Sequence, residues 1–210
     1  MGKRRSVNTM KHSLVFHSII AIMLSVSLGT KSASAEPLGV SLPVQCTLEE
    51  DCWIVNYVDT APDEKAIDFK CGARTYNDHF GTDFGIADLV TMETGVNVVA
   101  AADGTVLRVR DGVEDKTVTP EQRALLLEEN RGCGNGVFVD HGQGWQTIYC
   151  HLKKDSITVE PGQAIEAGTV LGEIGSSGIS EFPHLHFGVF FENNTVDPFV
   201  GLTSQKDCHA

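Results

Sequence analysis

Positive charge is scarce in this sequence. It carries 16 Lys and Arg against 28 Asp and Glu, a formal net charge of −12. Five of the basic residues fall within 1–35, so past that point 11 basic residues face 28 acidic ones, a formal charge of −17. That balance excludes recognition of nucleic acid or of an anionic membrane by charge. Long apolar runs are lacking beyond Leu28, which excludes a later membrane span. No C-x-x-C pair is present, which argues against a zinc–thiolate site. No H-E-x-x-H is present, which removes the helical two-histidine motif with its glutamate base.

What is present starts with a leader. Lys3, Arg4, Arg5 and Lys11 precede an apolar run from Leu14 to Leu28, and Ala33-Ser34-Ala35 follows. A basic head, a short apolar middle and an A-x-A site predict a signal peptide over 1–35, with cleavage after Ala35 and no stable membrane anchor afterwards. The expected location is exported, periplasmic in preference to extracellular. All six cysteines (Cys46, Cys52, Cys71, Cys133, Cys150 and Cys208) lie in the exported part, which predicts up to three disulfides.

The remaining chain is expected to hold a cysteine-bearing extension over 36–76, one domain over 77–199 and a tail over 200–210. In the extension, Trp53–Val58 reads as a strand. From His79 onward short β-type runs alternate with glycine turns. Asp103-Gly104 between Val96–Ala101 and Thr105–Val109 predicts one hairpin, and Gly142-Gln143-Gly144 between Val137–His141 and Trp145–His151 a second. Ile157–Val159, Val170–Ile174 and His184–Phe191 complete an all-β, compact antiparallel domain. One short helix is expected in an insertion over 111–132. Thr119 caps it, Pro120 takes its first position, Gln122 closes a capping box, Ala124–Leu127 give it an apolar patch and Gly132 ends it. We expect it to wall one side of a substrate groove.

The chemistry centres on Pro183-His184-Leu185-His186-Phe187. In a strand His184 and His186 share one face, while Leu185 and Phe187 point to the core. Upstream, His79 and Asp83 lie in a glycine-containing loop running into a strand. His79, Asp83 and His186 make two imidazoles and one carboxylate, the donor set of a catalytic zinc site with one position left open. His151 and His184 are then the candidates for moving the proton and steadying the tetrahedral intermediate. By strand alternation His151 shares a face with Thr147 and Tyr149, and Cys150 points the other way, where a bridge to Cys133 could brace the strand. His141 reads as structural.

The run from His79 to Phe199 resembles the lysostaphin-like (LytM-type) zinc metallopeptidases. The matching motifs are H-x-x-x-D at His79 and Asp83, G-V-x-V-x-A-A-x-x-G-x-V from Gly95, and G-N-G-V from Gly134. Tyr149-Cys150-His151-Leu152, V-x-P-G-Q from Val159, L-G-x-I-G-x-S-G from Leu171, H-L-H-F from His184 and V-D-P-F from Val196 complete them. The resemblance implies one Zn²⁺ on His79, Asp83 and His186, catalysis by His151 and His184, a groove over an antiparallel sheet, and hydrolysis of peptide cross-links or stem peptides in bacterial peptidoglycan. It also implies a rival: relatives that have lost ligands serve only as activators or scaffolds for other wall hydrolases, and a regulatory partner is compatible with either. The cysteines and the insertion depart from the pattern, and no wall-binding repeat or coiled coil is present. Val159–Ile174 separately resembles half of a biotinyl/lipoyl carrier hairpin, but its turn, Gly175-Ser176-Ser177-Gly178, lacks the lysine that such a carrier needs.

Overall fold

A computed structural model describes residues 1–2, 36–62 and 65–202. The chain divides into Met1–Ser34 and Ala35–Ala210. Only Met1 and Gly2 of the first unit are described, so the expected leader, His12, His17, Cys208 and His209 lie outside the described residues. The second unit is mostly β, as the sequence predicts.

Its strands are β1 (Cys52–Asn56), β2 (Thr82–Ile86), β3 (Asn97–Val99), β4 (Gly104–Arg110), β5 (Asn135–Gly142), β6 (Trp145–Leu152), β7 (Ala164–Ile165), β8 (Val170–Glu173), β9 (His184–Phe191) and β10 (Asn194–Val196). Two short helices, α1 (Leu89–Thr94) and α2 (Pro120–Glu128), sit between strands. The large sheet runs β1-β2-β9-β6-β5-β4-β7, with β10 also on β9, and every pairing is antiparallel. β3 and β8 form a separate antiparallel pair.

The core lies between the two sheets. Val98 and Leu171 of the small sheet and Val137, Val139, Tyr149, Leu185 and Phe187 of the large one are all buried in one cluster. The Ala101 N–H donates to the Tyr149 hydroxyl at 2.8 Å, so the phenol, buried among apolar side chains, keeps a hydrogen bond. Burial pushes that phenol up to about 12.

The structure corrects three local expectations. Asp103-Gly104 closes no hairpin, because β3 pairs with β8 and β4 with β5 and β7. A tight two-residue turn needs positive φ in its centre, and neither residue has it. The glycine serves close approach instead: a Cβ on Gly104 would lie 2.6 Å from the Asp140 carbonyl oxygen. Ile157–Val159 is irregular, tied to β8 by Thr158 N–H to Leu171 O and Thr158 Oγ1–H to Val170 O. α2 has its expected capping box but stops at Glu128, before Gly132. Asn130, at φ 52°, terminates it, with Arg131 N–H on Leu126 O and Asn130 N–H on Leu127 O. The expected apolar patch adds nothing to the core, for Leu125 and Leu127 are 57% and 62% exposed and Leu126 is only half-buried.

The N-terminal extension joins the sheet through β1. The Cys46–Cys52 bridge closes a loop within it, and Cys71 is disulfide-bonded as well.

Candidate metal centre

The β2–β9 ladder assembles the centre. In its register Asp83 lies opposite His186 and Gly85 opposite His184. Opposed residues of an antiparallel pair put their side chains on the same face, so this pairing alone brings the carboxylate to the H-x-H histidines. His79 arrives from the loop before β2. That loop turns through Asp78 at φ 61°, and the Asp78 N–H donates to Asp59 Oδ2.

The three side chains meet at one point. His79 Nε2 lies 3.1 Å from Asp83 Oδ1 and 3.1 Å from His186 Nδ1, and the third edge, His186 Nδ1 to Asp83 Oδ1, is 3.0 Å. All three residues are buried. His79 Nδ1 faces the Tyr57 carbonyl at 2.6 Å, so Nδ1 carries the hydrogen and Nε2 presents a lone pair. Asp83 Oδ2 accepts from Asn56 Nδ2 at 2.9 Å, which leaves Oδ1 aimed inward. A triangle of lone-pair atoms at these separations, sharing at most one proton, suits a cation. A tetrahedral ion with bonds of about 2.0–2.1 Å holds its donors roughly 3.3 Å apart. The residues therefore fit a small divalent metal, and the same three form a metal-compatible group among the described residues. Burial opposes charge on Asp83. The adjoining His186 and His79 imidazoles outweigh it and hold the carboxyl well below the usual carboxylate range.

His184 and His151 stand beside this triangle and are held differently. His184 Nδ1 donates to Phe182 O at 2.8 Å and His151 Nδ1 to Ser177 O at 2.7 Å. Both anchors come from the loop between β8 and β9. Each ring then presents a lone pair at Nε2, and that of His184 is 3.8 Å from Asp83 Oδ1. The two ring centroids are 4.7 Å apart. Burial pushes both imidazoles down. For His151 the close His184 and His186 rings add to burial, because a charge on any one of them opposes a second, and its pKa lies well below the usual 6.5.

His151 corrects the alternation argument. Tyr149 opposes Phe187 on the core face, and Cys150 opposes His186 on the other. Regular pleating would therefore turn His151 into the core. Instead the ladder skips it: Asn135 opposes Leu152 and Gly136 opposes Cys150. His151 is a bulge residue at φ 63°, a conformation rare for a non-glycine side chain. The bulge swings its ring round to His184, onto the face that Cys150 also occupies. Cys150 bridges to Cys133, whose carbonyl accepts the His151 N–H at 2.8 Å.

The centre opens into a cleft of about 380 Å³, lined by Asp83, His151 and His184 together with Asn56, Tyr76, Arg123 and Phe182. The sequence reading missed Asn56, Tyr76 and Arg123. Asn56 left a trace, as a polar residue in the apolar run Trp53–Val58. Arg123 comes from α2, so the insertion does border the cleft. His141 lies apart from the centre, bonded to Asp103 O and the Thr147 hydroxyl.

The antiparallel β scaffold thus carries a buried His-Asp-His cluster able to hold a metal, with two anchored imidazoles beside it. The chain belongs to peptidase family M23, whose profile matches residues 77–198. It is 32% identical over 122 residues to an uncharacterized metalloprotease of Haemophilus influenzae, covering 58% of this chain and 20% of that protein. It is 32% identical over 79 residues to the peptidoglycan DD-endopeptidase ShyB of Vibrio cholerae, covering 38% and 18%. The chain thus spans about a fifth of the length of these curated relatives. The fold is also that of a chain in the crystal structure of the SpoIIIAH–SpoIIQ complex, with TM-score 0.54 and 21% identity over 76% of this chain and 97% of that one.

Proposed function

We propose that this chain is an exported zinc metalloendopeptidase that hydrolyses peptide cross-links or stem peptides of bacterial peptidoglycan. The reading rests on one observation: His79 Nε2, Asp83 Oδ1 and His186 Nδ1 converge within 3.1 Å at the floor of a cleft that also holds two anchored imidazoles. The name of the Vibrio relative supports the substrate class.

His79, Asp83 and His186 would hold the ion, His79 oriented by Tyr57 O and Asp83 by Asn56. Bound zinc supplies Lewis acidity, lowering the pKa of water and polarising the scissile carbonyl. The protein's own groups move the proton. His151 and His184, neutral and with Nε2 free toward the cleft, are able to accept a proton from the attacking water and return it to the departing amine. Once protonated, either imidazole donates a hydrogen bond to the developing oxyanion. Because their Nδ1 hydrogens are committed to Ser177 O and Phe182 O, this exchange occurs at Nε2.

The test is mass spectrometry of peptidoglycan fragments before and after incubation with the protein, with chelator, and with zinc restored. The expected result is new amine-terminated fragments that vanish with chelator and return with zinc. An intact wall in every arm, from protein that carries zinc, would favour the activator reading.

A further inference from the structure

We propose that Arg123, carried by the insertion helix, is a specificity-determining residue that binds a free carboxylate of the peptide substrate. This rests on the peptidase reading above and adds to it the chemistry that the cleft selects.

The insertion is built into the site from both sides. At its front Asp115 accepts N–H bonds from Lys154 and Ser176, both 2.8 Å, and Asn135 clasps Val113 through N–H and C=O together. At its rear Arg110 binds the carbonyls of Gly134 and Arg131, and the Ile179 N–H donates to Gly132 O. Ser176 and Ile179 belong to the loop that anchors His151 and His184, so α2 is referenced to the same frame as the two imidazoles.

Yet α2 buries none of its own residues. A capped helix fixed at both ends without a core face presents side chains outward, and the one that lines the cleft is Arg123. It is the only fixed cation among the cleft's lining residues. Among the described residues no hydrogen bond or ion pair engages its guanidinium, although the lining also includes Asp83 and the exposed Glu181. In a chain of net charge −12, a guanidinium that lines a cleft without an ion-pair partner among the described residues is available to a bound anion. Its planar fork suits bidentate pairing with a carboxylate. Peptidoglycan stem peptides carry such groups at the C-terminus and on interior side chains.

The experiment measures binding to full-length, zinc-loaded protein of three synthetic stem tetrapeptides. One has all carboxylates free, one is amidated at the C-terminus only, and one is amidated on interior carboxylates only. Wild type is expected to lose about tenfold in Kd for one of the two amides, as expected for a lost charge-assisted pair. That arm identifies the source of the carboxylate. Arg123→Gln should bind all three alike, and Arg123→Glu should invert the preference, with the melting temperature unchanged because the side chain is exposed. Wild type that binds all three alike, or Arg123→Gln that keeps the wild-type preference, overturns the proposal. Turnover is scored separately. Binding preference without cleavage would remove the peptidase reading and leave Arg123 as a carboxylate reader. Cleavage without preference would do the reverse.

Discussion

The inner triangle of His79, Asp83 and His186 and the outer pair of His151 and His184 use the same chemistry under opposite constraints. In the triangle, the outward atoms of His79 and Asp83 are tied to Tyr57 O and Asn56, that of His186 is buried without a hydrogen-bond partner among the described residues, and the inward atoms crowd within 3.1 Å of one another. In the outer pair each ring is pinned at Nδ1 and leaves Nε2 facing the cleft. Crowded lone pairs suit a cation, and an isolated lone pair at the cleft is a proton acceptor. On the proposed reading, holding falls to one group and proton traffic to the other.

Substitutions ought to respect that division. The largest effect is expected on turnover. His184→Ala and His151→Ala should each lower kcat by about 10²–10⁴-fold with zinc retained, as for removal of a general acid–base group. Steady-state hydrolysis of wall fragments, paired with zinc content, checks this. Asn56→Ala acts on the triangle alone. Without its hydrogen bond Asp83 is less well aimed, and zinc affinity should fall about 10–100-fold, measured by competition with a chromophoric chelator. Unchanged affinity would blur the comparison by making the triangle indifferent to its supports.

The Cys133–Cys150 bridge acts on the outer pair. Reducing it, or Cys133→Ser with Cys150→Ser, should cost about 2–4 kcal/mol of stability. It should also lower kcat several-fold per folded molecule, because the bulge at His151 loses its brace. Cys46→Ser with Cys52→Ser is the control, expected to leave kcat unchanged. Equal kcat in both pairs would show that the bulge holds itself.

The smallest effect belongs to His141, outside both groups. Burial lowers its pKa below 6.5, so the unfolded ring takes up a proton before the folded one does. Its contribution to stability is present above about pH 6.5 and declines as pH falls through that value toward the lower folded one. Thermal unfolding between about pH 5 and 7 should show a shallower slope in His141→Gln.

The parts legible in the sequence are those set by local rules. The α2 capping box, the β5–β6 hairpin and the shared face of His184 and His186 depend on neighbours a few residues apart, and all three are in the structure. The helix end was misplaced because asparagine, rather than glycine, adopts the left-handed turn at 130. The Asp103-Gly104 hairpin failed because a glycine needed for close approach carries the same signature as one needed for a turn. His151 stands at the site as expected, but alternation has no means of anticipating the bulge that separates it from the Tyr149 face and brings it to that of Cys150. The β2–β9 register that places Asp83 across from His186 is a long-range choice, decided by packing, and no short window contains it. Arg123 sits in an insertion outside the periodic pattern, so only the folded chain shows what it borders.

The division between triangle and pair is tested most directly by metal stoichiometry. Wild type, His184→Ala and His186→Ala would be dialysed against limiting zinc and analysed by inductively coupled plasma mass spectrometry, with folding checked by circular dichroism. One zinc per chain is expected in wild type and His184→Ala, and essentially none in folded His186→Ala. Zinc retained by His186→Ala and lost from His184→Ala would contradict the assignment.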